Sequence, residues 1–276
     1  MEYYQYLFEA LTSDKKDILV ALLNDIGFTG FEEEENALKA FINKEDLDQN
    51  KFDVIIATTA VKYSISTIEE INWNEKWETS FEPVTILYPQ TSIPFLHLRA
   101  AFHKADPNAK FDIVITPKMS FGTGHHATTY LMAEQMSKIN FEGKTVIDFG
   151  TGTAVLAILA EKLGAANIIA IDNDDWSINN ANENITANNC SKISLTKADT
   201  IVSAEKAAII LANINLNIIT ANLSAIKTVA EPDATILFSG IMLHDEPVIL
   251  AALQAANIEV KQVFYKNDWL AILTKS

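Results

Sequence analysis

From residue 125 to residue 276, the chain alternates apolar segments of strand length with longer segments of helical periodicity. Strands that read as continuous apolar runs are typical of a parallel sheet with helices on both faces. A short polar turn separates the last two predicted strands, which indicates an antiparallel hairpin. We therefore predict an α/β fold with a doubly wound, mostly parallel seven-stranded sheet. Its strands are predicted at residues 145–149, 167–172, 192–197, 207–213, 234–239, 258–265 and 268–274.

The first 70 residues have a different order of elements. A strand is followed by an amphipathic helix, for which Ser13 is the predicted N-cap and Gly27 the end. Two strands, a second helix and a last strand complete the order β-α-β-β-α-β, which is that of a smaller α+β, ferredoxin-like domain. The elements after Gly27 are predicted as strands at residues 28–33, 37–43 and 62–70 and a helix at residues 45–57.

A proline-rich segment at residues 71–117 separates these two regions. Its five prolines favour short strands and turns over long helices. We predict a ferredoxin-like domain at residues 1–70, a linker with short strands at 71–117 and a second domain at 118–276. Trp73 and Trp77 fall in the linker, and we expect them to pack one domain against the next in preference to contacting a substrate.

Composition limits the class of protein. The formal net charge of the 276 residues is -15, and no basic run is longer than two residues, so nonspecific binding to nucleic acid phosphates is not expected. Cys190 is the only cysteine, which excludes an intramolecular disulfide and suits a reducing compartment. Neither a signal peptide nor an apolar stretch of membrane-spanning length is visible, so we expect a cytoplasmic protein without a membrane contact.

The first strand of the second region runs directly into a glycine turn and then a helix. Gly150 and Gly152 in this turn would let a ligand approach the backbone. A dinucleotide fingerprint requires Gly or Ala at the sixth position of the turn, where this chain has Val155. Asp148 puts a carboxylate beside the ligand, which would repel a pyrophosphate and suits a sulfonium. The turn therefore favours S-adenosylmethionine over NAD.

Polar residues end two further strands. Asp172 lies 22 residues after Gly150 and can accept both hydroxyls of an adenosine ribose, although a surface Asp often ends a strand. Asn213 follows a wholly apolar strand and puts an amide at the carboxyl edge of the sheet, where ligands of such folds bind; the alternative is a helix cap. In enzymes that methylate planar amino or amide nitrogens, the corresponding Asn or Asp is followed by Pro-Pro and an aromatic residue. This chain lacks both prolines after Asn213, which disfavours an adenine or a glutamine amide as the methyl acceptor.

A loop upstream of the turn could lie across the cofactor. It contains Gly122, Gly124 and the adjacent His125 and His126, and it opens a predicted helix. The five histidines of the chain lack the spacing of metal ligands, and with one cysteine they form no convincing catalytic triad, so we expect no metal site.

Two segments together carry a specific resemblance. Residues 121–129, Phe-Gly-Thr-Gly-His-His-Ala-Thr-Thr, and residues 146–152, Val-Ile-Asp-Phe-Gly-Thr-Gly, are similar to the PrmA family, methyltransferases of large-subunit ribosomal protein eleven. The likeness extends over residues 73–276. It implies a class I S-adenosylmethionine-dependent methyltransferase whose N-terminal domain recognises the ribosomal protein and whose acceptors are lysine side chains and the α-amine.

The resemblance also implies roles for individual residues. Thr129, Gly150, Asp172 and Asn213 are expected to hold S-adenosylmethionine, alongside Asp148 and Gly152 from the turn. The loop of Phe121, Gly122, Thr123 and Gly124 is expected near the transferred methyl group, with Asn213 helping to orient the amine. Ala154 stands where the family usually has a third glycine, and we expect a modest effect on cofactor affinity. Two rival hypotheses are a methyltransferase for a small-molecule or non-ribosomal acceptor and a noncatalytic adenosine-binding module.

Overall fold

A computed structural model describes residues 2–34, 36–69, 81–118, 122, 124–201 and 205–276. The chain forms two compact units, Met1–Lys76 and Trp77–Ser276. Trp73 and Trp77, with the packing predicted for them, lie outside the described residues. Among the residues that are described, no helix is long and apolar enough to cross a membrane.

The first unit is a four-stranded antiparallel sheet with two helices. Its order along the chain is the predicted β-α-β-β-α-β. The strands lie in the sheet in the order β2-β3-β1-β4, which is the ferredoxin-like arrangement and confirms the prediction. The elements are β1 (Glu2–Glu9), α1 (Ser13–Asn24), β2 (Gly30–Glu34), β3 (Ala37–Asn43), α2 (Gln49–Thr59) and β4 (Tyr63–Glu69).

The predicted starts of both helices in this unit are wrong. Ser13 is the first residue of α1, and the N-cap is Thr12, which makes no capping side-chain hydrogen bond. The second helix starts at Gln49 because Asp48 caps it: the Asp48 carboxylate accepts a hydrogen bond from the Lys51 backbone N–H at 3.2 Å.

The core of the first unit lies on one face of its sheet. Alternate residues of β1 and β3 are buried, and the ring centroids of the fully buried Tyr6 and Phe52 lie 4.6 Å apart.

The segment predicted as a linker contributes a small sheet to the second unit. Its strands are β5 (Val84–Leu87), β6 (Pro94–Arg99) and β7 (Phe111–Val114), in that order. Ile86, Leu98 and Ile113 are fully buried and share one apolar core with residues of the large sheet. From residue 81 onward, the segment is therefore part of the second unit instead of a separate connection, because its apolar side chains complete that unit's core.

The second unit is built on the predicted seven-stranded sheet. The strand order is β10-β9-β8-β11-β12-β14-β13, with five parallel strands followed by an antiparallel pair, which confirms the prediction. The strands are β8 (Thr145–Phe149), β9 (Asn167–Asp172), β10 (Ile193–Lys197), β11 (Ala207–Asn213), β12 (Ala230–Met242), β13 (Glu259–Lys266) and β14 (Trp269–Lys275). The helices are α3 (Ala127–Met136), α4 (Val155–Lys162), α5 (Asp175–Ala187), α6 (Leu216–Val229) and α7 (Glu246–Ala255).

Side chains of the central strands alternate between two apolar cores. Val146 and Leu211 belong to one core, and Ile147 and Ile210 belong to the other. Because both faces of the sheet are covered by apolar side chains, the polar side chains of these strands lie at the strand ends. The carboxyl ends of the five parallel strands meet at one edge of the sheet.

Candidate active site

A cavity of about 530 Å³ opens at the carboxyl edge of the sheet. The order of the strands reverses at β8. The next strands along the chain, β9 and β10, lie on one side of β8 in the sheet, and β11 and β12 lie on the other side. Ligands of open α/β sheets bind at such a point. The cavity is lined by Phe149, Gly150, Gly152, Asp172, Asn173, Ser177, Ala198, Asp199, Asn213, Ile214, Asn215, Ile218, Gly240 and Trp269.

The glycine turn ties the end of β8 to the end of β9. The backbone N–H groups of Gly150 and Thr151 donate to the Ile171 carbonyl at 2.8 and 2.9 Å. The Gly152 N–H donates to the Asp172 carboxylate at 2.9 Å. These three hydrogen bonds fix the turn and hold a carboxylate against the cavity.

Ile214 lies between two glycines whose lack of a side chain makes room for it. Gly150 has φ +77°, and a methyl group there would overlap the Ile214 side chain. Gly240 has φ +82°, and a methyl group there would lie 2.8 Å from the Ile214 carbonyl carbon. Gly240 also falls where the pairing of β12 with β14 shifts register. Only glycine fits at these two positions.

The charged residues on the described cavity wall are both acidic. Asp172 accepts from the Gly152 N–H through one oxygen and from the Asp174 N–H at 3.1 Å through the other. Asp199 accepts from the Asn173 side-chain amide at 3.2 Å. Each carboxylate oxygen has a second lone pair for a ligand hydroxyl. An acidic wall repels phosphate groups and suits a ligand that is a cation with hydroxyl groups.

Asp148 lies beneath the turn. Its side chain is 1% exposed, and one oxygen accepts a hydrogen bond from the Thr151 hydroxyl at 2.6 Å. The other oxygen has no partner among the residues described. Burial raises the pKa of this carboxyl from 3.8 to about 7. The sequence predicted a carboxylate beside the ligand, whereas this one is absent from the cavity wall and supports the turn from below.

Asn213 and Thr129 both present buried oxygen atoms without a partner in the described part of the chain. Asn213 ends β11, lines the cavity and is 6% exposed. Thr129 lies in the first turn of α3, is 1% exposed and does not line the cavity. Buried polar atoms in folded proteins are nearly always hydrogen-bonded, so the Asn213 oxygen is suited to a donor on a ligand.

The upstream loop is described only in part. Phe121 and Thr123 lie outside the described residues. The Gly122 carbonyl accepts a hydrogen bond from the Thr153 hydroxyl at 2.9 Å, which connects this loop to the glycine turn. Gly124, at φ +93°, leaves no space for a methyl group beside the Leu98 side chain. Neither glycine lines the cavity.

The histidines of this loop pack against aromatic rings. The His126 ring lies 4.6 Å from the Trp269 ring, measured between centroids, and His125 lies 4.9 Å from Phe81. Burial lowers the pKa of His126. Within the described ranges, no cluster of three or more His, Cys, Asp or Glu side chains could hold a metal ion.

Several cavity residues were not predicted from the sequence. Ala198 and Asp199 directly follow β10, so the rule that ligands bind at the carboxyl ends of parallel strands would have found them. Ser177 lies in the first turn of α5, after the strand that ends at Asp172. Trp269 starts the antiparallel strand β14, and no sequence pattern indicates that this residue reaches the cavity.

The strand order, the glycine turn after β8 and the acidic residue that ends β9 define a class I S-adenosylmethionine-dependent methyltransferase. The chain belongs to the family described as "Ribosomal protein L11 methyltransferase (PrmA)", whose model matches residues 10–276. This match confirms the resemblance inferred from the two sequence segments. S-adenosylmethionine, the predicted cofactor, is confirmed by the same findings.

Individual relatives agree with the family match. A protein of Phocaeicola vulgatus called "Ribosomal protein L11 methyltransferase" is 35% identical over 263 residues, which cover 93% of this chain and 92% of the relative. A protein of Porphyromonas gingivalis with the same name is 34% identical over 99% of this chain and 97% of the relative. The crystal structure of a ribosomal protein L11 methylase from Lactobacillus delbrueckii subsp. bulgaricus superposes with a TM-score of 0.60 at 26% identity, covering 68% of this chain and 97% of that chain.

Proposed function

We propose that this chain transfers methyl groups from S-adenosylmethionine to amines of ribosomal protein L11, namely lysine side chains and the N-terminal α-amine. The observation that carries the proposal is the acidic cavity at the carboxyl edge, where the buried Asn213 oxygen has no partner among the described residues. The names of the relatives supply the ribosomal protein, and the acidic charge of the chain agrees with a basic substrate.

The residues of the cavity fit the cofactor. Asp172 would accept the ribose hydroxyls, and its own bonds to the Gly152 and Asp174 N–H groups already fix the orientation of its carboxylate. Gly150 and Gly152 would let the cofactor lie against the backbone of the turn. When bound, S-adenosylmethionine supplies an electrophilic methyl group on a sulfonium. Thr129 and Asp148 lie off the cavity wall, so we propose that they support the first turn of α3 and the glycine turn.

The chain must orient an amine that has lost its proton. A lysine in water has a pKa near 10.4, so the acceptor must enter surroundings that favour its neutral form. The Asn213 oxygen would accept a hydrogen bond from one N–H of the amine. This bond would direct the lone pair of the amine nitrogen toward the methyl group of the cofactor. Gly122, Gly124, Phe121 and Thr123 are proposed to complete the acceptor side of the site. Positioning of this kind, with water excluded, is the main contribution an enzyme makes to a direct displacement.

The first unit is proposed to recognise the ribosomal protein. Residues 1–76 hold 16 acidic and 7 basic residues, a net charge of -9 out of -15 for the whole chain, so the smaller unit carries more than half of the net negative charge. A basic protein would be attracted to this unit more strongly than to the second one. The cavity for the cofactor, in contrast, is formed by residues of the second unit alone.

One incubation tests the substrate and the chemistry together. The full chain is mixed with methyl-labelled S-adenosylmethionine and purified ribosomal protein L11, and the product is mapped by mass spectrometry. We expect label on lysine side chains and on the α-amine. Label on small molecules but not on the ribosomal protein would support a different acceptor, and cofactor binding without any transfer would support a noncatalytic module.

A truncated chain tests the division of labour between the units. Residues 77–276 are the fragment to use, because a cut at residue 118 would remove the apolar residues of β5, β6 and β7 from the core. We expect this fragment to bind S-adenosylhomocysteine about as tightly as the full chain does and to lose methylation of the ribosomal protein. Equal methylation by the fragment and the full chain would contradict the role proposed for the first unit.

A further inference from the structure

Three asparagines stand on one face of α5 and at its C-cap, each four residues from the next. They are Asn180, Asn184 and Asn188. Spacing of four residues puts side chains one above another on a helix. Asn180 and Asn184 are fully buried, which is unusual for an amide side chain unless its hydrogen bonds are made inside the protein.

These asparagines hold the segment that follows β7 by its backbone. Asn188 accepts from the Val114 N–H at 3.0 Å and donates to the Val114 carbonyl at 2.6 Å. Asn184 accepts from the Thr116 N–H at 2.8 Å, and Asn180 donates to the Thr116 carbonyl at 3.3 Å. The amides thus pair with every second residue, as a neighbouring strand would. This fixes the path of the chain just before the loop that contains Gly122.

Asn184 differs from Asn188 in what its second hydrogen bond reaches. The Asn184 amide donates to the Thr153 carbonyl at 2.9 Å, and Thr153 belongs to the glycine turn. The Thr153 hydroxyl in turn donates to the Gly122 carbonyl at 2.9 Å. A continuous path of hydrogen bonds therefore runs from Thr116 through Asn184 and Thr153 to Gly122. The path connects the segment just before the upstream loop, and Gly122 within that loop, to the glycine turn.

We propose that Asn184 is a positioning residue for methyl transfer, which sets the acceptor-side loop at Gly122 relative to the glycine turn on the cofactor side. This inference rests on the proposed function. Asn184 is absent from the cavity wall and acts through Thr153. In a displacement reaction, a small error in the alignment of the reacting groups lowers the rate even when both still bind. A loss of this link should therefore affect turnover more than cofactor affinity.

The sharpest test is a matched pair of variants, Asn184→Asp and Asn188→Asp. Each replaces a donor amide with a carboxylate and keeps the oxygen that accepts from the backbone N–H. We expect kcat at saturating S-adenosylmethionine and ribosomal protein to fall about thirtyfold in Asn184→Asp and less than about threefold in Asn188→Asp. The Kd for S-adenosylhomocysteine should change less than about threefold in both.

The pH dependence tests whether the missing hydrogen-bond donor to the Thr153 carbonyl causes the loss of kcat. The ratio of kcat in Asn184→Asp to kcat in the unchanged chain should rise as the pH is lowered, because a protonated carboxyl regains a donor for the Thr153 carbonyl. If Asn184→Asp does not fold, Thr153→Val breaks the same path at the Gly122 carbonyl and should also lower kcat.

Equal losses of kcat in Asn184→Asp and Asn188→Asp would overturn the inference, and so would a normal kcat in Thr153→Val. Failure of the unchanged chain to methylate the ribosomal protein would instead overturn the proposed function, so the two failures can be told apart.

Discussion

The two compact units of this chain differ in whether their buried polar side chains are all hydrogen-bonded and in how much space surrounds their glycines. Among described residues, the buried side-chain atoms without a hydrogen-bond partner all belong to the second unit: Thr129 Oγ1, Asp148 Oδ1, Asn180 Oδ1 and Asn213 Oδ1. The glycines where a methyl group would collide with backbone or side chains within 3 Å also belong to it, whereas Gly27 and Gly30 of the first unit leave more space.

This difference shows where each unit carries its function. A buried polar group without a partner costs about 1–3 kcal/mol. Of the four atoms only the Asn213 oxygen belongs to a residue that lines the cavity, so its cost is the one that a ligand in the cavity could offset. In the described part of the first unit no buried side-chain nitrogen or oxygen lacks a hydrogen-bond partner, and the unit has an excess of acidic residues. The cavity and its buried polar atoms thus indicate a site for a small cofactor in the second unit. The excess of acidic residues indicates that the first unit binds a basic protein.

The largest expected effect is that of Gly240→Ala. We expect this change to lower the free energy of unfolding by at least about 3 kcal/mol, since it combines an unfavourable φ with a collision against the Ile214 backbone. Gly143→Ala is the control in the same unit, because Gly143 has φ +70° but nothing near it; we expect about 1 kcal/mol. Urea unfolding measures both. Equal losses of stability in the two variants would mean that the close packing around Ile214 does not make glycine more necessary at Gly240 than at Gly143.

The next largest effect is expected at Asn213. Asn213→Ala should lower kcat about a hundredfold and leave the free energy of unfolding nearly unchanged, because the lost oxygen has no partner within the described chain. Asn215→Ala is the matched control. Asn215 caps α6 by accepting from the Ile218 N–H at 3.0 Å, so its loss should cost about 1 kcal/mol of stability. Unchanged turnover in Asn213→Ala would refute its proposed role.

A smaller effect concerns pH. The pKa of Asp148 rises from 3.8 to about 7 on folding, so the folded chain holds this proton more tightly than the unfolded chain does. The free energy of unfolding should therefore fall as the pH rises through this range, by about 2 kcal/mol between pH 5 and 7. Burial raises the pKa of Tyr6 in the first unit to about 12, so that group stays neutral throughout.

Urea titrations of the unchanged chain and of Asp148→Asn at pH 5, 6 and 7 measure this effect. The amide of the variant is uncharged at every pH, so its stability should vary with pH less than that of the unchanged chain. An identical pH dependence in both would show that the buried carboxyl of the second unit is not its source.

The smallest effect is expected at Ala154, which has φ +63° and is fully buried at the start of α4. Ala154→Gly should raise the free energy of unfolding by about 1 kcal/mol, because only glycine adopts this conformation without strain. Ala60→Gly, at φ +52° in the C-cap of α2, tests the same strain in the first unit. Thermal or urea unfolding would detect both gains; a loss at Ala154 would mean that its methyl group contributes more by packing than its backbone costs.

Much of the fold follows from local patterns. Apolar runs such as Ala207–Asn213 predict buried parallel strands, and the order of elements in the first 70 residues predicts the ferredoxin-like sheet. Both predictions were confirmed. A strand buried on both faces is a continuous apolar run, and a strand buried on one face alternates apolar and polar residues, so both patterns are visible in the sequence. The start of α2 was predicted too early, because the cap at Asp48 depends on where the preceding turn ends.

The candidate site was predictable where it depends on chain order alone. Gly150, Gly152, Asp172 and Asn213 follow strands of a parallel sheet, so they were expected at one edge, and they line one cavity there. Trp269 was not predictable, because it reaches the cavity through the pairing of an antiparallel strand from the end of the chain.

The amino-acid sequence was enough to predict the class of fold, the edge of the sheet that holds the site and the family of the chain. Only the folded chain shows that Asp148 lies under the turn, that apolar residues between 81 and 115 complete the core of the second unit, and that Asn184 connects Thr116 to Thr153. The two sets of features differ because they depend on interactions of different range along the chain. Periodicity and chain order are local, whereas burial of a carboxyl and the partner of an amide depend on segments that are distant in sequence and meet only after folding.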